Sequence, residues 1–188
     1  MKAGVLALQG DFREHARAFA DAGATPVEVR TPEHLVDVDC LAIPGGESTT
    51  ISRLARAYGL VEPIRERARA GMPILGTCAG LITLAERVIG GEPLFGLLDV
   101  TVRRNAYGRQ VDSFEVDLDV EGIDHPVRGV FIRAPRVEEV GQGVRVLASH
   151  EGAPVVVAQG SVVAAAFHPE LVGETGLHRY VLGLVAGR

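Results

Sequence analysis

The sequence predicts an α/β fold: an open, mainly parallel sheet with helices on both faces and antiparallel strands added at its edge. Three observations predict it. The first half alternates short apolar runs with longer amphipathic stretches, the pattern of consecutive βα units. Two of these runs stop at glycine-containing turns, Pro44-Gly45-Gly46 and Gly76-Thr77-Cys78-Ala79-Gly80, that lead into helical patterns. The second half changes to valine-rich runs with polar alternation, which read as strands and hairpins.

In chain order, residues 4–8 form the first strand, a candidate for the sheet centre. Asp11 and Glu14 resemble a capping pair for a helix over residues 12–22, which Gly23 ends in a left-handed conformation. Residues 26–30 and 41–43 are the second and third strands. Helices are expected at 48–57 and 62–70, a fourth strand at 73–75 and a further helix at 81–87. The runs VTVRR, SFEVDLDV, GVFIRAP, VRVLASH and APVVVAQG supply the added strands. The chain then returns through residues 162–167 and reaches a helix at 177–185.

The 188 residues suit one domain spanning 1–188 with a sizeable core. Hydrophobic residues at 47% and charged residues at 23% give a globular composition, not a disordered one. A net charge of −5 opposes the broad basic surface that nucleic-acid binding needs. Near the N-terminus the apolar run covers only residues 5–8, too short for a signal core or membrane span, so a cytoplasmic location is expected. Two cysteines without a CxxC pair exclude a disulfide framework and a cysteine-based zinc site. Cys40 opens an apolar strand and reads as an ordinary buried thiol.

Cys78 stands in a G-x-C-x-G elbow. A strand that turns sharply into a helix exposes its apex side chain, and small neighbours let strand and helix approach. The helix N-terminus adds unpaired N–H groups and a positive dipole end, which favour a thiolate. Such a nucleophile needs a proton carrier and a group to orient it. Phe167-His168-Pro169-Glu170, after an apolar strand, offers both from one side of the chain. In an open α/β sheet both motifs would lie beyond the carboxyl ends of strands. Gly45 and Gly46, in Pro44-Gly45-Gly46-Glu47-Ser48, allow close backbone approach and N–H donors for an oxyanion. No P-loop or dinucleotide fingerprint is present. His15, His34, His125, His150 and His178 read as residues of solvated faces or helix ends. Arg104, Arg109 and Arg133 are candidates to hold a carboxylate.

Together GTCAG, PGGES and FHPE resemble the class I, triad-type glutamine amidotransferases. With LALQGDFREH, GTCAGLI, RRNAYGRQVDSFE, GVFIRAP and FHPEL, the chain is similar to the glutaminase subunits of pyridoxal 5'-phosphate synthase from residue 5 to about residue 180. Ala106-Tyr107 departs from the serine and phenylalanine more usual there. The resemblance implies hydrolysis of L-glutamine by a triad of Cys78, His168 and Glu170, with no cofactor or metal. It implies an oxyanion site from Gly45, Gly46 and Ala79, and glutamine held by Gly46, Glu47, Ser48, Arg104, Ile132 and Arg133. Gln9 and Gly10 would sense the partner, a synthase subunit in a hetero-oligomer that receives the ammonia. Two other readings share the elbow: a glutaminase serving another synthase or a free-standing peptidase, and a binding subunit that keeps the fold without the chemistry.

Overall fold

The computed structural model describes residues 1–104 and 113–187. Strand β1 (Lys2–Leu6) leads into helix α1 (Phe12–Asp21) and β2 (Thr25–Val29), and a 3-10 turn at Pro32–Leu35 precedes β3 (Cys40–Ile43). Helices α2 (Ser48–Ala57) and α3 (Val61–Arg69) follow, then β4 (Ile74–Thr77) and α4 (Ala79–Leu84). The strand-rich half contains β5 (Ala85–Ile89), β6 (Leu98–Arg103), β7 (Phe114–Leu118), β8 (Val127–Phe131) and β9 (Arg136–Val140). It continues with β10 (Arg145–His150), β11 (Ala153–Gln159) and β12 (Val162–Ala165), and α5 (Gly176–Ala186) follows.

Among the described residues the main sheet has the order β10-β11-β12-β4-β3-β1-β2. From β2 to β12 the strands run parallel, and β11 and β10 add antiparallel pairs at one edge. A parallel sheet covered on both faces buries successive side chains, not alternate ones. Accordingly β3, β4 and β12 are buried at every position. The crossovers from β1 to β2 and from β3 to β4 run in opposite directions across the sheet, so right-handed connections put their helices on opposite faces. Helix α1 packs with α5, and α2 with α4. The reversal of strand order lies between β1 and β3, where the crevice of an open α/β sheet forms.

Three expectations require correction. The helix expected over residues 81–87 ends at Leu84, and residues 85–89 are β5, because Arg87 joins the ladder with β6 and donates to Asp99 and Thr101. The runs around residues 98–131 do not extend the main sheet. They form two small sheets, β5-β6-β9 and β7-β8, since a polar–apolar alternation marks a strand without naming its partner. Strand β9, which is Arg136-Val137-Glu138-Glu139-Val140, carries too much charge to stand out in sequence; Thr101 donates to Glu139 across its pairing with β6. Third, Asp11 precedes α1 but its side chain makes no cap hydrogen bond. Cys40 is fully buried, as expected, and Gly23 follows α1 with φ +88°.

Candidate active site

The register of two parallel strands brings the elbow and the histidine together. Thr77 of β4 lies opposite Ala165 of β12, and the Cys78 N–H extends the ladder by donating to the Ala165 carbonyl at 2.9 Å. The carboxyl end of β4 therefore neighbours the segment that carries His168. Cys78 sits at φ 47°, ψ −100°, a backbone conformation that costs a non-glycine residue about 1–3 kcal/mol and persists only when its surroundings enforce it. Its neighbours do so. A side chain at Gly80 would collide with the Ile43 carbonyl of β3, and one at Gly76 would meet the backbone of Gly80 at 2.9 Å. Strand, bend and helix are thus closed on one another, with Cys78 at the apex.

His168 is pinned from the other side by β8, since its N–H donates to the Val130 carbonyl at 2.9 Å. Its Nδ1 lies 2.9 Å from Glu170 Oε1 and 3.3 Å from Asp11 Oδ2, and the ring shares its cleft with the Cys78 side chain. Burial works against a charged ring, yet the bonds to Asp11, Cys78 and Glu170 prevail and push its pKa up to about 12. Burial likewise favours a protonated Glu170, but His15 and His168 hold the carboxyl well below the usual range. The ring lies between two carboxylates and a sulfur, surroundings that favour its charged form. Asp11, His168 and Glu170 are also the trio of described residues whose donor atoms converge within 4.8 Å, as a cation site requires. The Nδ1–Glu170 hydrogen bond and the Nδ1–Asp11 ion pair bring these atoms together.

Cys78 and His168 face a cleft of about 390 Å³, a volume suited to a small polar molecule. All six residues expected to hold substrate, Gly46, Glu47, Ser48, Arg104, Ile132 and Arg133, line it, and Gln9 joins them. Glu47 has a structural task as well. Its carboxylate caps α2, accepting from the N–H groups of Thr49 at 3.1 Å and Thr50 at 2.7 Å and from the Thr50 hydroxyl at 2.8 Å. These bonds outweigh burial and lower its pKa to about 2, and Arg104 Nη2 pairs with it at 3.2 Å. Arg133 reaches the cleft from a left-handed backbone, φ 44°. Arg109 and Ala106-Tyr107 lie outside the described residues.

The glycine loop after β3 is clasped by the loop after β1, across the reversal of strand order. The Asp11 N–H donates to the Gly45 carbonyl at 3.1 Å, and the Glu47 N–H donates to Gln9 Oε1 at 2.7 Å. The fit leaves no room for side chains: one at Gly10 would strike the Gly45 carbonyl, and one at Gly45 would strike the His168 ring. Gly10 itself is outside the cleft lining and backs Gly45. Ala79 opens α4, so its N–H has no acceptor within the helix.

Four residues escaped the sequence reading. Asp11, read as a helix cap, turns its carboxylate to His168 instead. His15 and His178, expected on solvated faces or helix ends, are fully buried, and Thr77 Oγ1 lies 3.3 Å from Glu170 Oε1. A signal existed: His15 shares its helix face with Ala18 and Phe19, and His178 shares one with Val181 and Leu182.

The model of the SNO glutamine amidotransferase family matches residues 5–185. Pyridoxal 5'-phosphate synthase subunit PdxT of Frankia alni is 58% identical over 186 residues, covering 97% of this chain and 94% of the relative. The subunit of the same name from Acidothermus cellulolyticus is 55% identical, covering 100% and 95%. A crystal structure of a glutamine amidotransferase superposes with a TM-score of 0.93 at 51% identity, covering 98% of each chain. Sequence along almost the whole length and fold agree, and the chain belongs to the SNO glutamine amidotransferase family.

Proposed function

We propose that this chain is the glutaminase subunit of pyridoxal 5'-phosphate synthase, acting as one glutamine amidotransferase domain that hydrolyses L-glutamine and passes ammonia to a synthase subunit. The observation that carries the reading is His168, held by Glu170 on Nδ1 and lining the same cleft as Cys78. The names of the relatives at 55–58% identity support the partner and pathway.

In this mechanism the Cys78 sulfur, as thiolate beside the imidazolium, attacks the side-chain amide carbon of glutamine. The resulting oxyanion accepts hydrogen bonds from the Ala79 N–H and the Gly45–Gly46 backbone, where one donor is worth about 3 kcal/mol of barrier. His168 gives its proton to the departing ammonia, leaving a γ-glutamyl thioester. The now neutral imidazole takes a proton from water, whose attack releases glutamate and restores the thiolate. Glu170 keeps Nδ1 protonated and the ring in position throughout. Arg104 and Arg133 match the α-carboxylate of glutamine, and Glu47 its α-amino group.

No described helix is long and apolar enough to cross a membrane, in keeping with a cytoplasmic site of action. The synthase would raise turnover by completing the oxyanion site through the Gln9–Gly10 clasp on Gly45 and Gly46, a shift between two loop states. Ammonia and glutamate release, assayed with and without the synthase subunit, tests both activity and partner. The synthase is expected to stimulate turnover, and Cys78→Ala is expected to abolish it with folding intact. Equal turnover with and without the synthase would count against activation. Hydrolysis by Cys78→Ala would remove the cysteine from the mechanism.

A further inference from the structure

Behind Glu170, away from the cleft, lies a chain of buried polar groups for which the triad has no use. His15 Nε2 is 2.9 Å from Thr77 Oγ1 and 3.4 Å from Glu170 Oε1, and the Thr77 hydroxyl donates to the same Oε1 at 3.3 Å. His15 Nδ1 in turn lies 2.8 Å from His178 Nε2. Both rings are fully buried, and His178 Nδ1 has no hydrogen-bond partner among the described residues.

The unpartnered nitrogen sets the direction of the whole chain. A buried N–H without an acceptor costs more than a bare lone pair, and such orphan donors are rare. The proton of His178 therefore sits on Nε2 and is donated to His15 Nδ1. His15 then carries its proton on Nε2 and donates to Thr77, whose hydroxyl donates to Glu170. Reversing the direction, or charging His15, would strand an N–H on His178 Nδ1. Burial lowers the pKa of His178 to about 3, which agrees with a neutral ring. The donors converge on one oxygen, Oε1, the same atom that accepts from His168 Nδ1.

We propose that His15 is a positioning residue of the glutaminase site: with Thr77 it holds the Glu170 carboxylate in the orientation that aligns His168, and His178 fixes the His15 tautomer. The proposal rests on the triad reading given above. Its physical content is that a carboxylate with free rotation would lend the imidazole less directional support than one fixed from behind. The charged and titratable groups around Glu170 are His15 and His178 behind it, His168 and Asp11 in front, and Cys78 beyond the imidazole.

The test uses the full chain with its synthase subunit, and compares His15→Phe, His15→Gln and Thr77→Val with the parent and with Cys78→Ala. His15→Phe is expected to lower kcat on the order of 10-fold or more, as when the outer partner of an oriented histidine is lost. KM should stay within about twofold, since His15 does not line the cleft. The acid limb of kcat/KM should move to higher pH, because the Glu170 carboxylate loses the Thr77 hydroxyl donation that His15 orients. His15→Gln, which keeps an N–H donor, should recover most of the loss. Thr77→Val should shift both quantities in the same direction, and it keeps the test decisive where His15→Phe does not fold. A folded His15→Phe or Thr77→Val with the parent's kcat and acid limb, or a lower kcat with an unmoved acid limb, would overturn the positioning role. An active Cys78→Ala would instead overturn the triad reading itself, so the two failures are told apart.

Discussion

Gly45 constrains the site more tightly than its neighbours in the loop. A methyl group there would meet the His168 imidazole, while its carbonyl is already taken by the Asp11 N–H. Gly45→Ala is expected to cost about 1–3 kcal/mol in stability through overpacking. Its kinetic effect should be larger, about 100-fold in kcat, because a catalytic ring displaced by an ångström loses its line to the sulfur. Steady-state kinetics beside a urea melt separate the two effects; unchanged kcat would show that the ring has room to yield. Glu170→Gln is a different kind of change. It preserves shape but removes the charge that supports the imidazolium, so residual turnover above that of Cys78→Ala is expected in the same assay.

At the level of the element, α2 is joined to the cleft through its own cap. Glu47 accepts from two N–H groups and a hydroxyl at the helix start, and it presents one oxygen to Arg104. Losing such a cap costs about 0.5–2 kcal/mol. Glu47→Ala is therefore expected to lower the denaturation midpoint by that amount and, because Glu47 and Arg104 line the cleft, to raise KM for glutamine. Glu47→Asp, with its shorter reach, should retain part of the cap and less of the KM. A KM unchanged in Glu47→Ala would separate the cap from substrate binding.

Across the whole molecule, acid sensitivity follows from a histidine that is not in the cleft. Burial keeps His178 neutral, with a pKa of about 3 against an ordinary value of 6.5. Between these values the unfolded chain binds more protons than the folded one, so stability falls as pH drops through the window. The raised value of His168 acts above pH 6.5, where its stabilisation is lost as pH rises toward about 12. The lowered values of Glu47 and Glu170 act below 4.5. The interval from 6.5 to 4.5 thus belongs to His178 among the groups with a resolved shift. Urea midpoints measured across that interval should decline, and His178→Phe, which has no proton to gain, should flatten the decline; parallel slopes would reject this assignment.

Local pattern alone determined much of this protein. Periodicity marked the parallel strands and most of the helices, and the elbow around Cys78, the glycine loop and the His168–Glu170 pair were legible because each is a short motif with its own backbone geometry. Local pattern misjudged what depends on a partner far away in the chain. Residues 85–89 have a passable helical sequence and become a strand because β6 lies beside them. Asp11 looks like a cap and serves His168 instead, across 157 residues of chain. His15 and His178 are polar residues whose solvation cost is met, among the described residues, by each other, Thr77 and Glu170. Hydrogen bonds between distant residues carry no periodic signal in sequence, so only the tertiary structure decided which polar side chains would be buried and what they would hold.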